Sequence, residues 1–200
     1  MAITIWAVCS FRERRQSSIS DADLLKRVTL GHAIMMFSRG APVIYYGDEQ
    51  GFTGDGGDQD AREDMFPSRV ASYNDNHLVG TGRHHGAGQF QHVRSALSRH
   101  RRMAALRQAH PALRRGRQIV RGYSEHPGLF ALSRILDGAE VLVVFNTSGA
   151  PITANVDIEP GSRAWTSARG QCAPAASAPG SYRVTLGAFD YMICTSEGAS

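Results

Sequence analysis

At Gly116 the hydrophobic period of this chain changes, and the change divides it into an α/β front and an all-β back. Beyond that point, residues 119–123, 129–135, 141–146, 152–158, 182–186 and 189–194 are short strand candidates. His-Pro-Gly, Asp-Gly, Pro-Gly and Gly-Ala sequences punctuate them. Six such strands predict an antiparallel β-sandwich over 117–197. Before Gly116 the pattern is helical. Ser20 followed by Asp21 and Asp23 is a capped, acid-rich helix start, and the helix should run to about Arg39 and stop at Gly40. From Leu30 onward Ala33, Ile34, Met35, Met36 and Phe37 occupy every side, which predicts burial all round. Residues 42–46, Pro-Val-Ile-Tyr-Tyr, then read as a short buried strand of the parallel type. A second helix is expected over 92–115, with Val93, Ala96, Leu97, Met103 and Ala104 on one stripe and Arg94, Arg101 and Arg102 elsewhere. Between them, residues 47–90 are Gly-rich, acidic and then His/Gly-rich. A loop this long serves a site or carries short elements of its own.

Charge narrows the function classes. Lys and Arg total 22 against 18 Asp and Glu, a net charge of +4 that raises nucleic acid or an anionic surface as partner. Lys26 is the only lysine, however, and arginine-for-lysine usage beside abundant Ala and Gly is more simply a codon bias. No stacking motif or basic module accompanies the arginines, so no nucleic-acid partner is expected. Hydrophobic residues at 42% and charged residues at 20% are a globular mixture. No stretch reaches the ~20 apolar residues of a membrane span, so no membrane partner is expected. The apolar start, Met1 to Cys9, lacks a preceding positive charge and runs into Arg12, Glu13, Arg14 and Arg15, a poor signal peptide. Cys9, Cys172 and Cys194 fit no metal spacing. Cys172 and Cys194 flank a turn region and the strand at 182–186, and read either as a disulfide of an oxidising compartment or as two buried thiols.

The most specific local signal is Arg39-Gly-Ala-Pro-Val-Ile-Tyr-Tyr-Gly-Asp-Glu49, with Gly51 behind it. It resembles the last barrel strand of the α-amylase family, glycoside hydrolase family 13, and the loop leaving that strand. The family pattern there is Gly-x-Pro, two or three apolar residues, Tyr-Gly and an acid. The order of the later parts is also similar: a long loop, a final helix ending near His110-Pro111-Ala112-Leu113, then a β-sandwich. The resemblance runs from about Asp21 to Cys194. It implies an α/β plus all-β chain: the end of a (β/α)8 barrel over 21–116, with its last strand and flanking helices, then a C-terminal β-sandwich domain. In such barrels functional groups gather at the carboxyl ends of the strands, where Tyr46, Asp48 and Glu49 would sit. Gly47 would let the backbone turn sharply. Asp48 and Glu49 are expected to anchor the loop by accepting hydrogen bonds, in preference to touching sugar. The segment 55–64 holds Asp55, Asp58, Asp60, Glu63 and Asp64 with Arg62. Oxygen-rich loops of this kind bind hard cations, so Asp55, Asp58 and Asp60 are candidate calcium ligands, solvated acids being the commoner reading. Arg62 suits contact with a hydroxyl-rich ligand. His77, His84, His85 and His92 lack ligand spacing and read as loop residues.

A retaining glycosidase needs two carboxyl groups about 5 Å apart. The family places its nucleophilic aspartate after strand four, its acid/base glutamate after strand five and a third aspartate, in Asn-His-Asp, after strand seven. None of these motifs occurs in this chain. A whole barrel takes ~250 residues. The resemblance therefore implies the C-terminal fragment of a retaining enzyme acting on α-glucans or maltooligosaccharides, secreted or periplasmic when intact, with no catalytic residue and no cofactor of its own beyond the calcium candidate. A stand-alone carbohydrate-binding or scaffolding β module is the alternative. Residues 1–20 depart from the family, which expects Asn-His-Asp shortly before Asp21. Back-translated and read from the third base, Met-Ala-Ile-Thr-Ile-Trp-Ala-Val-Cys forces Gly at its first and sixth codons and permits Gly-Asn-His-Asp-Met-Gly-Arg-Leu. A frameshift between about Ser10 and Ser20 is expected on this ground, with residues 1–20 out of frame or disordered and no role for Trp6 or Cys9.

Overall fold

The computed structural model describes residues 21–54, 61–81, 83, 84, 86 and 94–196. The frameshift reading and the calcium candidates Asp55, Asp58 and Asp60 lie outside these residues, as do His85 and His92. The chain divides into two compact units. One takes the described residues of 21–35 and 42–103, the other 36–41 and 104–196.

In the first unit, helix α1 (Asp21–Phe37) buries Val28, Leu30, His32, Ala33 and Met35. Val28 packs against Val79, with the half-buried Leu24 and Leu25 beside them. Phe52, Leu78 and Ala96 form a second small cluster that Met65 joins. The long loop thus carries its own apolar anchors, together with a 3-10 turn at Ala71–Tyr73 and a bridge between His77 and His84. The segment 42–46 departs from the expected buried strand. Val43 is 49% exposed, Ile44 and Tyr45 39% and Tyr46 41%. A parallel-type strand is buried only when neighbours cover both its faces, and among the described residues none forms a ladder with this one.

Helix α2 (Arg94–Ala109) ends earlier than the stripe suggests, and Pro111–Arg115 forms a separate short helix, α3. Pro111 supplies no N–H and disfavours helical backbone before it, so His110 is extended, at φ −111° and ψ 97°. Arg101 and Arg102 face solvent, but so does Ala104, which the stripe had placed inside.

The second unit is built on seven strands: β1 (Arg117–Tyr123), β2 (Leu129–Leu136), β3 (Ala139–Asn146), β4 (Ile152–Asp157), β5 (Thr166–Arg169), β6 (Ser181–Leu186) and β7 (Tyr191–Ser196). A five-stranded antiparallel sheet runs β1-β2-β3-β7-β5, and β4 pairs with β6 in a second sheet. Leu142, Val144, Met192 and Cys194 from the first sheet interdigitate with Val156, Tyr182, Val184 and Leu186 from the second, with Trp165 at the edge. The all-β back is thus two packed sheets. Asp137 (φ 51°) and Gly138 (φ 79°) close the β2–β3 hairpin with the left-handed pair such a turn requires. Strand β3 is apolar on both faces because its outer side is also covered: Phe145 lies 6.3 Å from Tyr191, centroid to centroid, and Tyr191 5.7 Å from Phe37. The sequence pattern assigns Phe189 to the last strand. It instead sits at φ 51° in the turn before it, donating its N–H to Ser148 O.

Three polar groups inside this unit are fully engaged. Glu140, wholly buried, accepts from Ser133 Oγ, from Arg121 at 3.1 Å and from the Glu159 N–H at 3.0 Å. Asn146 donates to Ala150 O and Gly187 O and accepts from Ser148. Arg134, 1% exposed, donates to Gly116 O at 3.0 Å and Phe37 O at 3.2 Å. A disulfide joins Cys172 to Cys194 on β7. The Tyr182 hydroxyl donates to Ala173 O beside it, and burial pushes that phenol up to about 12.

Two outcomes test this packing. Arg134→Met leaves the Phe37 and Gly116 carbonyls without their charged donor and should lower unfolding free energy by roughly 2–4 kcal/mol in urea titration. Arg101→Ala on the exposed face should change it by no more than about 0.5 kcal/mol. Reducing the 172–194 bridge should cost about 3 kcal/mol from its loop length. Thiol titration of denatured, unreduced protein should find one free thiol, that of Cys9.

Candidate functional site

The residues singled out from the sequence lie where the 42–46 segment turns into the long loop. Gly47 holds φ 91° and Gly51 φ 83°, both in the left-handed region. A Cβ at Gly47 would run into the Phe52 ring, and one at Gly51 would stand 2.8 Å from Val79 O. Close approach therefore requires glycine at both positions. Backbone bonds wind the loop tightly: Asp48 N–H to Tyr45 O at 3.1 Å, Gln50 N–H to Gly47 O at 2.9 Å, Phe52 N–H to Gly47 O at 3.0 Å. The Val79 N–H then closes onto Gly51 O at 2.8 Å.

Both acids turn inward on this backbone. Asp48, 3% exposed, accepts from the Tyr45 N–H at 3.3 Å through Oδ2. The same oxygen lies 3.5 Å from His32 Nε2 of α1. Glu49 accepts from the Gly47 N–H at 3.2 Å and from the Gln50 side chain at 3.3 Å. Tyr45 and Tyr46 lie outside the winding, with ring centroids 4.5 Å apart, and each residue keeps about two fifths of its surface in solvent. Burial of the Tyr46 hydroxyl, then its bond with Tyr45 and the charge of Asp64, raise its pKa, while Arg62 opposes the rise. Tyr46, Arg62 and Asp64 thus share one electrostatic neighbourhood. Arg62 itself is exposed. Glu63 next to it is buried and accepts from Asn76.

Sequence reasoning missed His32, His100 and Glu63. His32 and His100 meet edge to face, their centroids 4.4 Å apart, in the interior of this unit. For His32 the signal available was a histidine inside an otherwise apolar helical run, which more often marks a satisfied core residue than a site; His100, flanked by Arg99, Arg101 and Arg102, carried no such signal. Among the described residues no group of three or more His, Cys, Asp or Glu has a metal-binding arrangement. His77 and His84 stack with centroids 4.1 Å apart, and His84 Nδ1 bonds Asp75 O.

No family model matches this chain. Over 147 residues, 72% of its length, it is 42% identical to an α-amylase of Streptomyces lividans, of which it spans 16%. An Anoxybacillus α-amylase structure superposes with a TM-score of 0.63 at 19% identity, over 89% of this chain and 34% of that one. A Geobacillus thermoleovorans α-amylase complexed with acarbose gives a TM-score of 0.66 at 16% identity, over 88% and 34%. The chain carries part of the sequence and fold of the α-amylase family, glycoside hydrolase family 13. It spans about a sixth of that curated relative and about a third of those solved structures.

Gly47→Ala should destabilise the loop by more than about 1 kcal/mol, since it adds both a side-chain clash and a left-handed penalty. Amide exchange at Gln50, Gly51 and Phe52 should rise in this variant while that of β2 and β3 stays unchanged.

Proposed function

We propose that this chain is the C-terminal portion of a retaining glycoside hydrolase acting on α-glucans, with residues 21–116 closing a (β/α)8 barrel and 117–197 forming the domain behind it. The 42% identity to an α-amylase carries the reading. The loop chemistry supports it. Asp48 and Glu49 accept from its own backbone N–H groups, while Tyr45 and Tyr46 keep about two fifths of their surface in solvent near the charge of Arg62. Rings of this kind cover the apolar faces of sugars, and a guanidinium donates to their hydroxyls. Tyr46 and Arg62 are therefore the proposed glucan contacts, and Asp48 and Glu49 hold the loop that presents Tyr46. In the whole enzyme the α-glucosidic bond would be cleaved through a covalent glycosyl-enzyme. The nucleophile and acid/base would come from elsewhere in that enzyme, because this chain contains neither motif.

The purified chain should bind acarbose or maltoheptaose weakly in calorimetric titration, and Tyr46→Ala should weaken that binding several-fold. It should release no product from maltooligosaccharides or a chromogenic α-glucoside. Turnover that disappears when any one acid of this chain is replaced would sink the reading. Glucan binding that ignores Tyr46→Ala would favour a stand-alone carbohydrate-binding β module, which the second unit's own core and disulfide make a coherent alternative.

A further inference from the structure

His32 and His100 sit where α1, α2 and the 45–51 loop meet, and the glucan reading gives them no task. His32 is 2% exposed and His100 7%. Each ring bonds through Nδ1 to the carbonyl four residues back on its own helix, His32 to Val28 O at 2.9 Å and His100 to Ala96 O at 3.0 Å. A carbonyl has no proton to give, so Nδ1–H is the donor in both rings. That assignment leaves both Nε2 atoms facing the interior, and neither has a hydrogen-bond partner among the described residues. His32 Nε2 looks at Asp48 Oδ2 across 3.5 Å. That approach ties α1 to the loop through the carboxylate that also accepts the Tyr45 N–H. His100 meets that ring edge to face at 4.4 Å.

We propose that the His32–His100 pair is an acid-released latch on the 45–51 loop. In the closed state His100 is neutral and seated against the His32 ring. The groups facing His100 are His32 from α1 and Asp48 and Glu49 from the loop. Burial lowers its pKa most and the neighbouring His32 lowers it further. The Ala96 carbonyl, Asp48 and Glu49 pull the other way without reversing the direction. A proton on its Nε2 would place an N–H with no acceptor among the described residues, and a buried positive charge, against the His32 edge. The ring then gains by turning to water, and the Asp48 side of the loop loses its packing.

Linkage sets the pH dependence. The open state takes up its proton near the ordinary histidine value of about 6.5, and the closed state only at lower pH. Closure is therefore at full strength above about 6.5 and is lost as pH falls through the closed-state value. Within that window the opening constant should rise by up to about tenfold per pH unit.

The test is amide exchange on the full chain, corrected for intrinsic rate, between about pH 7.5 and 4.5, a range that brackets the ordinary histidine value. Gln50, Gly51, Phe52 and Val79 should lose protection as pH falls while β2 and β3 keep theirs, and His100→Gln should flatten that response. Nitrogen shifts of the histidine rings in the wild type give a second readout that needs no variant. His100 should be protonated on Nδ1 alone at neutral pH and should titrate together with loop opening. An unchanged acid response in His100→Gln, a doubly protonated His100 at neutral pH, or joint opening of the loop and β2–β3 would each overturn the proposal.

Discussion

Two arginines determine how the second unit is tied together. Arg107 donates to Met36 O, to Leu113 O at 3.0 Å and to Gly40 O at 2.6 Å, while Arg134 takes Phe37 O and Gly116 O. Carbonyls at the end of α1, in α3 and at the start of β1 would otherwise be buried acceptors with nothing to accept. A planar fork with five donors serves several such carbonyls at once, which a lysine cannot do. Burial holds both arginines below their usual pKa; Arg114 adds to the effect for Arg107, and Arg107 and Arg39 add to it for Arg134. Two like charges are tolerated here because the partial charges of converging backbone oxygens surround them. The seat of Phe37 against Tyr191 and the entry into β1 both hang on that arrangement.

Under the proposed barrel reading, the exposed 42–46 segment has a physical setting. Val43, Ile44, Tyr45 and Tyr46 are an unusual run to leave in water, and parallel-sheet strands carry such runs because both of their faces are covered. The loop leaving this segment is held by its own glycines, backbone bonds and the inward Asp48 and Glu49, and by protein contacts from Val79 and His32. Its shape therefore does not depend on a sugar, and a ligand would meet a surface already formed.

Much of the fold was legible because strands announce themselves by alternation and by turn residues. The Asp137-Gly138 hairpin and β1, β2, β3, β4 and β6 fell within a few residues of the expected bounds. The errors have separate causes. Pro111 outweighed a continuous helical stripe, and Phe189 looked like strand while its backbone was left-handed. The site was less legible. Tyr46, Asp48, Glu49 and Arg62 could be picked out by motif, but the meeting of His32 with His100 joins two helices far apart in sequence, a relation no local pattern encodes. Glu63 likewise gave no sign that it would be buried while its neighbour Asp64 is exposed.

Strand β5 escaped the sequence reading altogether, and its composition explains why. Thr-Ser-Ala-Arg is four residues long and has no apolar alternation, with Arg169 paired to Asp190 and laid over the Tyr191 ring. It is also the last strand on its side of the five-stranded sheet. A sheet ending there offers a stranger only a short, polar and charged rim, with few backbone groups in register to copy. The residues that make β5 invisible to pattern are the ones that stop one molecule's sheet from growing into the next.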